Sequence, residues 1–158
     1  MSVDRSHQTQ NDSERARLNA LVERLTDADL GRAMPDGWTV ASVLAHLAFW
    51  DQRAYILLDR WQRKGVTPPA GDAVDVDWIN DAAKPMFLAL LPRRAAELAV
   101  AIAEATDRKV ASMSDELVSR NAALGTPVTL VRANHRREHL DEIERALATA
   151  LARTPVQA

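Results

Sequence analysis

The chain has 158 residues, of which 47% are hydrophobic and 27% charged, and its formal net charge is -2. That length holds one domain with a real core and is too short for two; the composition is globular, and the charge leaves no basic field for nucleic acid and no polybasic anchor for an anionic membrane. Cysteine is absent, which excludes disulfides, zinc-thiolate sites and a cysteine nucleophile, so any metal must be held by nitrogen and oxygen.

Residues 1–10 read as a disordered tail carrying His7, and 11–154 as a single domain. Met1 to Asp12 is polar with no apolar h-region, and no run approaches the roughly 20 apolar residues that span a bilayer; the expectation is a cytoplasmic protein. The first helix is predicted to start near Asn11 to Ser13 and to carry the stripe Leu18, Leu21, Val22 and Leu25. Gly31 and the Pro35–Gly37 turn end it. The second starts after Trp38 with Thr39 as N-cap, presents Val43, Leu47, Trp50, Ala54, Leu57, Leu58 and Trp61 on one side, and closes at Gly65. Residues 66–77 form the longest irregular stretch. Its aspartates at 72, 75 and 77 do not match a calcium loop and suit capping.

A third helical region spans roughly Trp78 to Met113, either one helix kinked at Pro92 or two with Pro92 in the first turn of the second. Ser114 to Gly125 reads as a loop with at most a short turn. Thr126-Pro127 looks like an N-cap followed by proline at the first helical position, so the last helix is predicted from there to about Ala152. Four amphipathic segments and no convincing strand predict an all-α four-helix bundle. The connection after the second helix is long enough for a crossover between helices 2 and 3.

His135 and His139 are four residues apart, so on a helix they point within about 40° of each other one turn apart, and two such imidazoles can converge on one ion. His46 shares its arc with Trp50 and Leu57 and also faces inward. His46 lies about seven residues into its helix and His135 about eight into the predicted last helix, so the rings meet at one level if those helices run parallel. A lone inward histidine is ordinarily a hydrogen-bonded core residue. Three at compatible depth favour a shared divalent metal, which removes the cost of burying unpartnered imidazoles; its affinity is expected to fall below about pH 6. HRREH, His135 to His139, also fits the inverted zinc-protease pattern H-x-x-E-H, but a helix bundle offers no strand edge for an extended peptide. Glu138 and Glu142 are candidate proton-handling groups, with a solvent-facing role the ordinary alternative for Glu138.

DGWTVASVLAHLAFWDQRA (Asp36 to Ala54), VDWINDA (Val76 to Ala82) and NHRREHLDEIERAL (Asn134 to Leu147) together resemble the DinB/YfiT-like metalloenzyme superfamily, carried by the spacing W-x-x-x-x-V-x-x-H-L-x-x-W. Within it they are most similar to the colibactin-resistance-type bundles and to the N-terminal bundle of mycothiol-dependent maleylpyruvate isomerases. The resemblance implies a four-helix bundle, often a homodimer, with His46, His135 and His139 as ligands of zinc or nickel and, in some members, a low-molecular-weight thiol as cosubstrate. The expected function is a metal-dependent enzyme acting on a small molecule by thiol transfer, isomerisation or hydrolysis. The alternative is a non-catalytic binding or stress-protection bundle in which Trp38, Trp50, Trp61 and Trp78 wall an apolar pocket.

Overall fold

The computed structural model describes residues 3–69 and 76–153, so Asp72 and Asp75 lie outside the described residues. In chain order it contains α1 (Ser6–Arg24), α2 (Asp27–Leu30), β1 (Ala33–Met34), β2 (Trp38–Thr39), α3 (Val40–Lys64), α4 (Asp77–Ala89), α5 (Pro92–Ala111), α6 (Asp115–Ala123) and α7 (Ala133–Arg153). The long helices α1, α3, α5 and α7 form the bundle. α3 packs on α5 and α7, and α1 packs on the same two, so α1 and α3 sit diagonally. The connection between α3 and α5 carries α4, which lies against α3. No helix among the described residues is long and apolar enough to cross a membrane.

α3 is the most enclosed helix. Every residue from Val40 to Ala48 is buried, the pattern of a helix covered on all sides rather than one with a wet face. On α5 the small residues Ala95, Ala99 and Ala103 recur every four positions and are buried, which lets α3 approach closely and keeps the core dense. The start of α3 is fixed by a capping box: the Ser42 amide donates to Thr39 Oγ1 at 3.1 Å and the Thr39 amide donates to Ser42 Oγ at 2.8 Å. Gly65, at φ 67°, closes the helix in the left-handed conformation that glycine adopts without a Cβ penalty. Both ends are where the sequence places them.

Five boundaries differ from expectation; the first helix, expected to run to Gly31, ends at Arg24, because Thr26 caps a separate short helix, α2. The segment expected as a tail is helical from Ser6, with the Ser6 amide donating to Asp4 at 2.8 Å and Arg5 bonded to Asp115 and to the Met113 carbonyl. His7 is buried there rather than loose. Pro92 opens a separate helix, which resolves the third region into α4 and α5; Asp77 is the first residue of α4 and not its cap. The stretch after Ser114 is a helix, α6, because the Ser114 side chain accepts from the Leu117 amide and Val118 packs with Leu58, Val110 and Met113.

The last helix starts at Ala133, not near Thr126. Thr126 has φ 58°, outside the extended region an N-cap needs. Its neighbours are held in an irregular path by Asn121, whose amide group donates to the Val128 carbonyl and accepts from the Val128 amide. The helix is capped from a distance: buried Asn11, in the second turn of α1, accepts from the Ala133 amide at 2.9 Å and donates to the Leu130 carbonyl at 2.9 Å. Asn11 thus caps α7 rather than its own helix.

Candidate metal centre

His46 is the seventh residue of α3, and His135 and His139 are the third and seventh of α7. The depths are therefore unequal, yet the rings meet: centroids are 5.0 Å apart for His46–His135 and 4.8 Å for both His46–His139 and His135–His139. One nitrogen from each lies within 4.8 Å of the others. The Nε2 atoms of His46 and His135 are 3.0 Å apart. Two ligands at about 2.0–2.1 Å from one ion sit about 2.9 Å apart at a right angle and about 3.4 Å apart at the tetrahedral angle, so the observed spacing suits a shared divalent ion. Three imidazoles form a donor set of the right chemistry for such an ion.

Each ring has a different outer environment. His139 Nδ1 is 2.7 Å from a Glu142 carboxylate oxygen, the contact that fixes a ligand histidine's tautomer and leaves Nε2 free. His46 has no such partner: its Nδ1 is buried and unbonded, and the ring is boxed in by Trp38, Trp50 and Phe87 at centroid distances of 5.7, 6.4 and 6.2 Å. His135 sits between two arginines of its own helix region, Arg132 and Arg136.

Those arginines belong to a buried ionic network that sequence reasoning missed. Arg136 is 0% exposed; its guanidinium donates to both carboxylate oxygens of Asp107 at 2.8 Å and to Asp51 Oδ2 at 2.9 and 3.0 Å. Arg132 donates to the other Asp51 oxygen at 2.8 Å, and Arg15 reaches Asp107 at 2.6 Å. One network therefore ties α1, α3, α5 and the start of α7. Asp51 lies five residues past His46, and Arg136 directly follows His135, so the ties hold both halves of the site. A signal was available: Ala133, Arg136, Leu140 and Ile143 form one buried stripe on α7.

Burial pushes the His46 pKa down to about 4 and that of His135 down to about 2, in each case first through desolvation; the neighbouring rings add to both, and Arg132 and Arg136 to His135. Both rings are thus neutral, as ligands must be, well below pH 6. The proton competition expected below about pH 6 moves lower for these two. A folding consequence follows. The unfolded chain takes up protons near pH 6.5 while folded His46 does not until about pH 4, so stability is complete above pH 6.5 and falls through that window as pH drops. The metal-free protein should lose about 2 kcal/mol more between pH 7.5 and 5 than the His46→Ala variant does. Urea denaturation at both pH values checks this, and parallel losses would refute it.

The three rings stand in a cleft of about 1380 Å³. Trp38 and Trp50 line it, and the Trp50 indole donates to Asn80 at 3.0 Å. Trp61, in contrast, is a core residue at 2% exposure, and Trp78 is 65% exposed on α4; neither walls the cleft. Glu138 is exposed along the cleft and Glu142 lines it beside His139, whereas Asp141 is held by Arg17 at 2.6 Å. No curated protein and no solved structure matches the chain. The model of the DinB superfamily matches residues 10–156, which include all three histidines, and the chain belongs to that superfamily.

Proposed function

We propose that the protein is a metal-dependent enzyme acting on a small molecule in this cleft, with His46, His135 and His139 as the ligands of one divalent ion, zinc or nickel. The observation that carries this reading is the convergence of three half-buried to buried imidazoles that line one open cleft. A packing role would account for one such ring; three facing each other with a buried unbonded nitrogen would be a costly core. Bound there, the ion supplies Lewis acidity and an open coordination position.

The chain's own residues do the remaining work. Glu142 holds the His139 ring by its Nδ1–H and so presents Nε2 toward the other two rings. The Asp51–Arg136 tie holds α7 against α3, so the ligands are positioned before anything binds. Trp38 and Trp50 supply apolar walls for a substrate body. Glu138, which lines the cleft and pairs with no cation among the described residues, is the carboxylate proposed to accept or return a proton, in thiol transfer, isomerisation or hydrolysis alike. A low-molecular-weight thiol is the proposed cosubstrate.

Substituting cobalt and recording the visible spectrum with and without a thiol separates this from a structural-metal or simple binding bundle. The expected result is a four- or five-coordinate spectrum that changes when thiol is added; a spectrum indifferent to thiols and anions would reject catalysis at the ion.

A homodimer is the proposed assembly, with a second copy on α4. Trp78, Ala82, Pro85, Met86 and Ala89 are exposed and fall within about 100° of one another around that helix, with Trp78 65% and Met86 70% exposed, an apolar stripe of the kind that marks an interface. The double variant Trp78→Asp, Met86→Asp should sediment as a monomer under conditions where the parent is a dimer. A monomeric parent at tens of micromolar would refute the assembly.

A further inference from the structure

Three arginines line the cleft; Arg132 is tied to Asp51, and the other two serve neither the buried network nor the metal. Arg145 lines the cleft six residues past His139, about 9 Å further along α7, where the helix otherwise offers only Ala146, Thr149 and Ala150. Arg32, on the turn after α2, lines the same cleft.

Neither is held as the structural arginines are. Arg136 and Arg17 each bond two carboxylates at 2.6–3.0 Å. Arg145 makes one bond, from Nε to the Asp141 carbonyl of its own helix at 3.2 Å, and pairs with no carboxylate among the described residues. Arg32 reaches a single carboxylate, Asp29, at 3.3 Å, and its Nε is shut off from solvent with no acceptor. An arginine has five N–H donors in a planar fork that matches a carboxylate or phosphate. These two keep most of theirs unspent.

The acids set the direction in which a ligand would lie. Glu138 and Glu142 stand at the histidine end of α7, where an anionic group would meet like charge. Asp36, the remaining acid of the cleft, has the Lys84 ammonium bonded to its own carbonyl. Arg145 stands beyond Glu138 and Glu142 along α7, and Arg32 comes from a different element, so the cleft carries two lightly paired guanidiniums besides the histidines and their acids.

Building on the function proposed above, we propose that the substrate is a small organic anion: its acidic group is bound by Arg32 and Arg145, its apolar body lies against Trp38 and Trp50, and its other end reaches the histidines. Carboxylate and phosphate both suit the forks.

The test uses the purified full chain with its metal content measured, and three probes: 3-phenylpropionate, phenyl phosphate and the neutral 3-phenylpropanamide. Titrations are followed by calorimetry and by tryptophan fluorescence. At least one anion should bind at least about tenfold more tightly than the amide, and whichever anion binds better identifies the acidic group. The variant Arg32→Gln, Arg145→Gln should erase the preference to within about twofold while metal stoichiometry stays unchanged. Equal binding of acid and amide, no binding of any probe at millimolar concentration, or a preference that survives the double variant would overturn the proposal. Anion binding lost in His139→Ala but intact in the arginine variant would place the anion at the histidines, and so would overturn this assignment while leaving the metal site standing. Arginine-dependent anion binding in a chain that takes up no metal would do the reverse.

Discussion

Replacing Arg136 with alanine should destabilise the protein by about 3–5 kcal/mol, because it removes one partner of a buried ion pair and strands the others. Asp51 and Asp107 are 2% and 6% exposed. Arg136 supplies both with charge-assisted bonds at 2.8–3.0 Å, and without it Asp51 keeps only Arg132, and Asp107 only Arg15. Against a typical total stability of about 5–15 kcal/mol the loss is severe. Arg137, next in sequence but exposed, makes a single pair with Glu14; its replacement by alanine should cost under about 1 kcal/mol. Urea midpoints of the two variants at pH 7 make the comparison. A loss below about 1 kcal/mol for Arg136→Ala would mean that the network does not clamp the bundle.

His139→Ala should lower affinity for zinc or nickel by more than about 100-fold, while Glu142→Ala should lower it by about 10- to 100-fold, the usual cost of removing an outer partner of a ligand histidine. The two residues are joined by one 2.7 Å contact, so their order of effect separates a ligand from the group that orients it. Metal-free stability gives an independent reading. A core histidine replaced by alanine leaves a cavity and destabilises. A cleft-facing ring of a metal site leaves space that water fills, and its loss also relieves the crowding of three imidazoles, so the metal-free His139→Ala variant should be as stable as the parent within about 0.5 kcal/mol. Competition with a chromophoric chelator measures the affinities; equal affinity in His139→Ala and the parent would remove that residue from the ligand set.

The elements legible in the sequence were those with local causes. Thr39 and Gly65 mark the ends of α3 through contacts made within a few residues, and Pro92 can only stand at a helix start or a kink. The histidine triad was legible because its pair repeats at helical spacing and the third ring lies on an apolar stripe. The start of α7 was not. Thr126-Pro127 has the right local chemistry for a helix start, but Asn121 holds the following residues out of helix and Asn11 provides the cap seven residues later, from α1. Both asparagines act across the fold, where local patterns carry no information. The depth comparison between His46 and His135 rested on that misplaced start, and the rings meet because packing sets the offset between α3 and α7. Arg136 was overlooked for another reason: charged residues sit at the surface so regularly that one on a buried stripe is noticed only together with its partners. Asp51 and Asp107 are 85 and 29 residues away in sequence.

Everything functional depends on three imidazoles sharing one ion. X-ray absorption on protein purified without a polyhistidine tag, combined with elemental analysis, tests that directly. The expected result is one zinc or nickel per chain with three imidazoles in its coordination shell, reduced in number in His46→Ala. A stoichiometric ion carrying one imidazole or none, or a chain that takes up no divalent metal at micromolar concentration, would contradict the account.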